Sequence, residues 1–299
     1  MEPLRIGTCS WRYPSWARLV YRDGKGSGAE MLAEYATRYD TVEIDRWFWS
    51  LGRTGAPRLP NPRDAEAYRQ AVPAGFTFAV KAPNSVTLTH RYRKEKTDPL
   101  VANRHFLSAD AFAASLDALA PLADALGPIL FQFEYLNRQK MASEVAFQER
   151  FAAFAKRLPQ GHTYALEVRN PRYLHEGLFA FLRELEVLPV LISGYWMPPL
   201  AGLLADHRDT LARFPAVVVR LMGEDRAAIE QQTGETWNRI VAPHDAELDA
   251  VAAEVTRLRA AGVRPFVYVN NHYEGSAPLT IERLRERLGI ASPPRADAA

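Results

Sequence analysis

Two carboxylates stand where a barrel enzyme would need them. They lie in Thr41-Val42-Glu43-Ile44-Asp45 and in Leu166-Glu167-Val168-Arg169-Asn170. In an extended strand, residues two apart share a face. Glu43 therefore points with Asp45, and Glu167 with Arg169. Such a carboxylate can act as a general base or ligate a divalent cation. Two of them across one site divide acid and base roles when their surroundings separate their pKa values. They serve equally well as anchors in buried ion pairs with Lys81 or Arg169.

Lys81 ends the apolar run Phe76–Val80. It reads as a point charge for an anion, or as a Schiff-base nucleophile if desolvation lowers its pKa. Arg220, after Ala216–Val219, offers a forked donor suited to carboxylate or phosphate. Gln132, Asn270 and Asn271 add amide donors and acceptors at other segment ends. His90 joins the third apolar run to the loop Arg91-Tyr92-Arg93-Lys94-Glu95-Lys96 and is a candidate catalytic histidine. From Leu88 to Arg104 basic residues exceed acidic ones by three. That loop could meet a phosphate or a nucleic-acid backbone, although such runs are commonly solvated surface. Trp11 and Trp47 follow strand ends and suggest a stacking wall, with capping of the core as the plainer reading.

Eight segments place these residues: Leu4–Thr8, Thr41–Ile44, Phe76–Val80, Ile129–Phe131, Tyr164–Leu166, Pro189–Ile192, Ala216–Val219 and Phe266–Val269. Stripes at helical spacing separate most of them. They include Met31, Leu32, Tyr35 and Tyr39 behind Ser27; Phe147, Phe151 and Phe154; and Leu248, Val251, Val255 and Leu258. Pro121 should split the stripe from Phe112 to Leu122. This alternation predicts an α/β fold, a single (β/α)8 TIM-type barrel with long loops at the C-terminal face of its strands. Three connections, 46–63, 82–104 and 222–244, are longer than a barrel needs and lack a strong helical pattern. The barrel domain is expected over residues 1–290, followed by a disordered tail, 291–299.

Composition narrows the function classes. The 299 residues carry 37 basic and 35 acidic side chains, a net charge of +2, so the whole molecule has no electrostatic case for nucleic acid or membrane. Cys9 is the one cysteine, which excludes an intramolecular disulfide. It is read as a small buried hydrophobe in preference to a thiol nucleophile. No Gly-x-Gly-x-x-Gly follows the first strand, no Walker lysine is present, and no His-Glu-x-x-His occurs. No cofactor and no metal ligand is therefore assigned; a divalent site on Glu43, Asp45 and Glu167 stays open as the alternative. With no basic-then-apolar leader and no membrane-length apolar run, a cytoplasmic protein is expected.

Several motifs, in order, resemble the YecE-like family, domain of unknown function 72. They are Gly7-Thr8-Cys9-Ser10-Trp11, Thr41-Val42-Glu43-Ile44-Asp45, Phe78-Ala79-Val80-Lys81-Ala82, Thr89-His90, Gly127-Pro128-Ile129-Leu130-Phe131-Gln132, Glu167-Val168-Arg169, Val219-Arg220-Leu221 with Gly223, and Val269-Asn270-Asn271. The resemblance implies a TIM-type barrel and no particular reaction. The chain departs from the family pattern with Asp45 for asparagine, Met222 for histidine, Phe133-Glu134-Tyr135 for a Leu-Pro-Pro-like turn, and Trp47-Phe48-Trp49 for a shorter Phe-Tyr pattern. A histidine after strand seven therefore has no role here. Two functions are expected from the residues: a hydrolase, isomerase or lyase acting on a small anionic or polyhydroxylated substrate, or a non-catalytic binder of a nucleic-acid end or a metabolite.

Overall fold

Short, nearly continuous apolar runs build eight strands, buried on both faces, and each predicted segment becomes one. The computed structural model describes residues 3–52, 55–93, 95, 97–194, 196–293 and 295. The strands are β1 Arg5–Thr8, β2 Thr41–Ile44, β3 Thr77–Lys81, β4 Leu126–Gln132, β5 Thr163–Glu167, β6 Leu188–Ser193, β7 Ala216–Leu221 and β8 Arg264–Val269. All pair in parallel, in the order β1-β8-β7-β6-β5-β4-β3-β2. Lys94 and Lys96 of the basic loop, and residues 294 and 296–299 of the expected tail, lie outside the described residues.

The helices are α1 Gly28–Tyr35, α2 Pro62–Gln70, α3 Asn84–Thr87, α4 Ala109–Asp117, α5 Glu144–Ala155, α6 Glu176–Glu184, α7 Leu200–Asp206, α8 Arg208–Leu211, α9 Arg226–Thr233, α10 Asp245–Ala260 and α11 Ala277–Arg287. Ser27 starts α1 with a full capping box: its hydroxyl accepts from the Glu30 N–H, and Glu30 accepts from the Ser27 N–H. Pro121 does split its stripe, since α4 stops at Asp117 and a 3-10 segment, Ala120–Ala125, follows. The sequence reading missed α3, α7, α8 and α9. Leu200, Leu203 and Leu204 of α7 carry a short helical stripe, whereas α9 buries only Ile229 and Thr233 and shows almost none. Among the described residues no helix is long and apolar enough to cross a membrane.

The barrel closes between β1 and β2 through one bridge, Cys9 with Glu43, where the Ser10 N–H donates to the Glu43 carbonyl at 2.9 Å. Below it the strands are held by a side chain. The Tyr35 hydroxyl accepts from the Thr8 N–H at 3.0 Å and donates to the Thr41 carbonyl at 3.0 Å. Gly7 makes this approach feasible, because a Cβ there would lie 2.1 Å from the Thr41 carbonyl oxygen. Removing the wedge hydroxyl as Tyr35→Phe should cost about 1–3 kcal/mol, the penalty of leaving buried backbone groups unpaired. Urea denaturation would show this as a lower midpoint with an unchanged slope.

Inside the barrel the strands turn small or aliphatic side chains inward, including Ala79, Leu130, Ala165, Val190 and Val218. Above this packed floor, at the C-terminal ends, the inward positions become ionic.

Candidate functional site at the barrel mouth

Glu43 and Arg220 come from strands nearly opposite in the sheet order, and the barrel brings them into contact. The guanidinium of Arg220 grips Glu43 with two bonds, Nε to Oε2 and Nη2 to Oε1, both 2.7 Å. Its Nη1 donates to Glu167 Oε2 at 2.5 Å and to Gln132 Oε1 at 3.3 Å. Nη2 also lies 4.0 Å from Cys9 Sγ. Both carboxylates are fully buried and Arg220 is 1% exposed. Arg169 then donates from Nε to Glu167 Oε1 at 3.0 Å. The strand spacing explains the set: Glu43, Gln132, Glu167 and Arg220 all occupy inward positions near their strand ends.

Charge balance holds this cluster together. Burial pushes the Glu167 carboxyl up, but Arg220, Arg169 and Lys81 outweigh it and hold it below the ordinary range. The guanidinium of Arg220, already a permanent charge, is raised further because its two carboxylate partners outweigh the cost of burial. Arg220 is thus committed to protein carboxylates; the sequence reading had it holding a substrate anion. Cys9 lies under the same cluster, where burial, then Glu43, pushes its thiol well up. A nucleophilic cysteine acts as thiolate, so this environment suits a small buried side chain.

Lys81 is the exception. Its side chain ends β3 at the mouth and remains partly exposed. The ammonium lies 3.8 Å over the ring of Phe48. Among the described residues it makes no hydrogen bond and no ion pair, although Glu43, Glu167 and Asp45 are within electrostatic reach. Burial, then the nearby Arg220 charge, lowers it to about 8, against the opposing pull of the three carboxylates. Asp45 is partly exposed, and its backbone carbonyl turns the chain toward Phe48.

The remaining sequence-predicted residues divide. Gln132 belongs to the Arg220 network, and Arg169 extends it outward. Asn270 reaches the mouth, where its Oδ1 accepts from the His272 N–H at 2.9 Å and contacts His272 Nδ1 at 2.6 Å. Asn271 does not. It is buried and accepts from the Ala277 N–H at 2.9 Å, so it organises the start of α11. Trp11 and Trp47 form no stacking wall. Both pack on Tyr68 of α2, with centroids 4.9 and 5.8 Å away, and the Trp11 indole N–H donates to the Gly28 carbonyl at 2.7 Å. A large ring beside a strand end found an apolar neighbour before it found solvent. His90 lies apart from the buried cluster, its Nδ1 3.0 Å from Thr89 Oγ1, and lines a cavity of about 250 Å³ with Arg91, Tyr92 and Arg93.

Among the described residues the large aromatic rings most open to solvent are others: Trp49, Tyr92, Tyr135 and Trp196, the last 94% exposed. Trp49 and Tyr92 sit 5.9 Å apart, and Trp49 in turn packs on Phe48 beneath Lys81. Tyr135 and Trp196 border a cleft of about 1010 Å³ that also includes Arg138, Arg169 and Arg172. Sequence reading missed this cleft. Its only signal was the aromatic turn Phe133-Glu134-Tyr135. Arg169 ties the cleft to the buried network, and Glu134, ion-paired with Lys140, separates it from the His90 cavity. Among the described residues no group of three or more His, Cys, Asp or Glu side chains is placed to hold a metal ion.

The family model described as "Protein of unknown function DUF72" matches residues 5–298. No curated protein matches the chain. Among solved structures, the DUF72 protein EF0366 of Enterococcus faecalis V583 is 18% identical, with 97% of each chain covered and a TM-score of 0.65. The DUF72 protein TM1631 of Thermotoga maritima MSB8 is 21% identical, covering 94% of this chain and 96% of that one, with a TM-score of 0.62. The structure described as AsfvAP:AG is 12% identical, covering 96% and 97%, with a TM-score of 0.54. At these identities the likenesses establish the shared barrel and nothing about chemistry.

Proposed function

Because the chain belongs to the DUF72 family, whose description names no activity, we propose its function from the barrel mouth: an enzyme acting on a small anionic or polyhydroxylated substrate by acid/base chemistry. The observation that carries this is the fully buried Glu43–Arg220–Glu167 network with an unpartnered Lys81 beside it. Burying such a network is costly, and apolar side chains of similar volume are often as stable or more so. Its position, where barrel enzymes keep their active sites, gives it a use that stability alone does not.

The roles follow from the charges. Glu167 accepts from two arginines and is held ionised, so it cannot serve as a proton donor near neutral pH. It fixes Arg169, which lines the cleft and would hold the substrate's negative group with Arg172. Proton exchange falls to Lys81, whose ammonium is lowered to about 8 by burial and the nearby Arg220 charge. Glu43 and Arg220 hold the frame in which Lys81 works.

A second reading rests on a specific observation, the exposed rings of Tyr135 and Trp196 on a cleft with three arginines. Stacking platforms with positive charge suit single-stranded nucleic acid. Binding of oligonucleotides that weakens steeply with salt, and is lost in Trp196→Ala, would favour it over catalysis.

Thermal unfolding against a panel of sugar phosphates, sugar acids and polyols tests the enzyme reading. A ligand at a hundredfold excess over its Kd stabilises by about 2.7 kcal/mol, several degrees for a chain this size. We expect at least one such shift, lost in both Arg169→Ala and Lys81→Ala. No shift across the panel, or shifts that persist in both variants, would remove the reading.

A further inference from the structure

We propose that Lys81 is a covalent catalyst, forming an imine with the carbonyl carbon of an aldehyde or ketone that carries an anionic group. This rests on the enzyme reading above and names the substrate class. Three observations carry it. The Lys81 amine is held on a barrel strand with its Nζ fixed over Phe48, and no protein group accepts from it among the described residues. Its surroundings are not those of a simple anion site, because Glu43, Glu167 and Asp45 lie around Nζ and offset the nearby Arg220 charge. The negative group instead has Arg169 and Arg172, which line the cleft reached from Glu167 through its ion pair with Arg169. Finally, only six of the 37 basic residues are lysines. Where this chain needs fixed positive charge it overwhelmingly uses arginine, as at 169, 172 and 220, and arginine cannot form an imine.

The same surroundings help the chemistry. Desolvation beside another cation is a recognised way to free a lysine amine. With its ammonium near 8, Lys81 has on the order of a hundredfold more free amine at pH 7 than an ordinary lysine. The nitrogen lone pair attacks the carbonyl carbon, and the C=O pair moves to oxygen, which takes a proton. The resulting hydroxyl then leaves as water as the C=N bond forms. Overall one ammonium and one carbonyl give one iminium and one water, with no oxidant or reductant. The iminium charge is then stabilised by the three carboxylates.

Borohydride trapping tests this. The full-length protein is incubated with pyruvate or with dihydroxyacetone phosphate, reduced with sodium borohydride, and mapped by peptide mass spectrometry. The expected result is a reduced adduct on Lys81 exceeding those on Lys140 and Lys156 by more than about tenfold. It disappears in Lys81→Arg, which keeps the charge and guards against mere misfolding. No adduct with either probe, or equal labelling of the three lysines, overturns the imine. The thermal panel separates the two levels: stabilisation that depends on Lys81, without a trapped adduct, overturns the imine and leaves acid/base catalysis in place. No stabilisation and no adduct overturn both.

Discussion

Replacing Arg220 with methionine is expected to cost the folded protein about 3–5 kcal/mol at neutral pH, the usual penalty for removing one partner of a buried charge cluster. Arg220 supplies every short contact that joins Glu43 to Glu167. Without it two buried carboxylates would share one water-poor space, with Arg169 left to offset them on the Glu167 side. The pH dependence should also change sign. In the wild type the Glu167 pKa is lowered, so its contribution is present above the unfolded value and lost as pH falls through the folded one. In Arg220→Met, burial with one fewer cation raises that pKa, and stability should rise as pH falls toward the carboxylate range. Urea midpoints at several pH values would show opposite slopes for the two proteins. Parallel slopes would mean that Arg220 is dispensable to the network.

The second large effect concerns the backbone that shapes the mouth. Gly223, just after β7, has φ +83°, and a Cβ there would lie 2.1 Å from the His272 carbonyl oxygen. Its own carbonyl oxygen would in turn be 2.0 Å from a Cβ on Gly194 after β6. The loops after three adjacent strands are thus stacked backbone on backbone. Gly223→Ala meets both a left-handed conformation, costing roughly 1–2 kcal/mol, and an overpacked contact of about 1–3 kcal/mol. We expect a drop of several kcal/mol in denaturant unfolding and displacement of His272 from Asn270, visible in its NMR signals. A drop within about 0.5 kcal/mol, as for an ordinary surface change, would contradict the close approach.

Much of this was legible in the sequence for a simple reason. Buried parallel strands are apolar runs, and all eight announced themselves by hydrophobicity and by the polar residue that ended them. The inward carboxylates were legible as well, since a two-residue period puts Glu43 and Glu167 on a fixed face. Their partner was harder to identify. Arg220 is 177 positions from Glu43 along the chain, and only barrel closure chooses it over Lys81 or Arg169. That choice left Lys81 alone, a property no local pattern encodes. Trp11 and Trp47 misled for a related reason: their exposure depends on Tyr68, contributed by a separate helix. Asn271 sits beside a mouth residue yet turns to α11, because the chain leaves β8 there in a turn, closed by the Gly275 N–H donating to the Asn271 carbonyl.

The central claim is that the mouth holds a lysine poised between its charged and neutral forms, and its titration tests this most directly. With only six lysines, selectively 13C-labelled protein gives few signals, and the one missing from Lys81→Arg assigns itself. We expect that signal to titrate near pH 8. A midpoint at the ordinary lysine value of about 10.4 would contradict the account, leaving Lys81 a plain surface charge and the mouth without its proton-exchanging group.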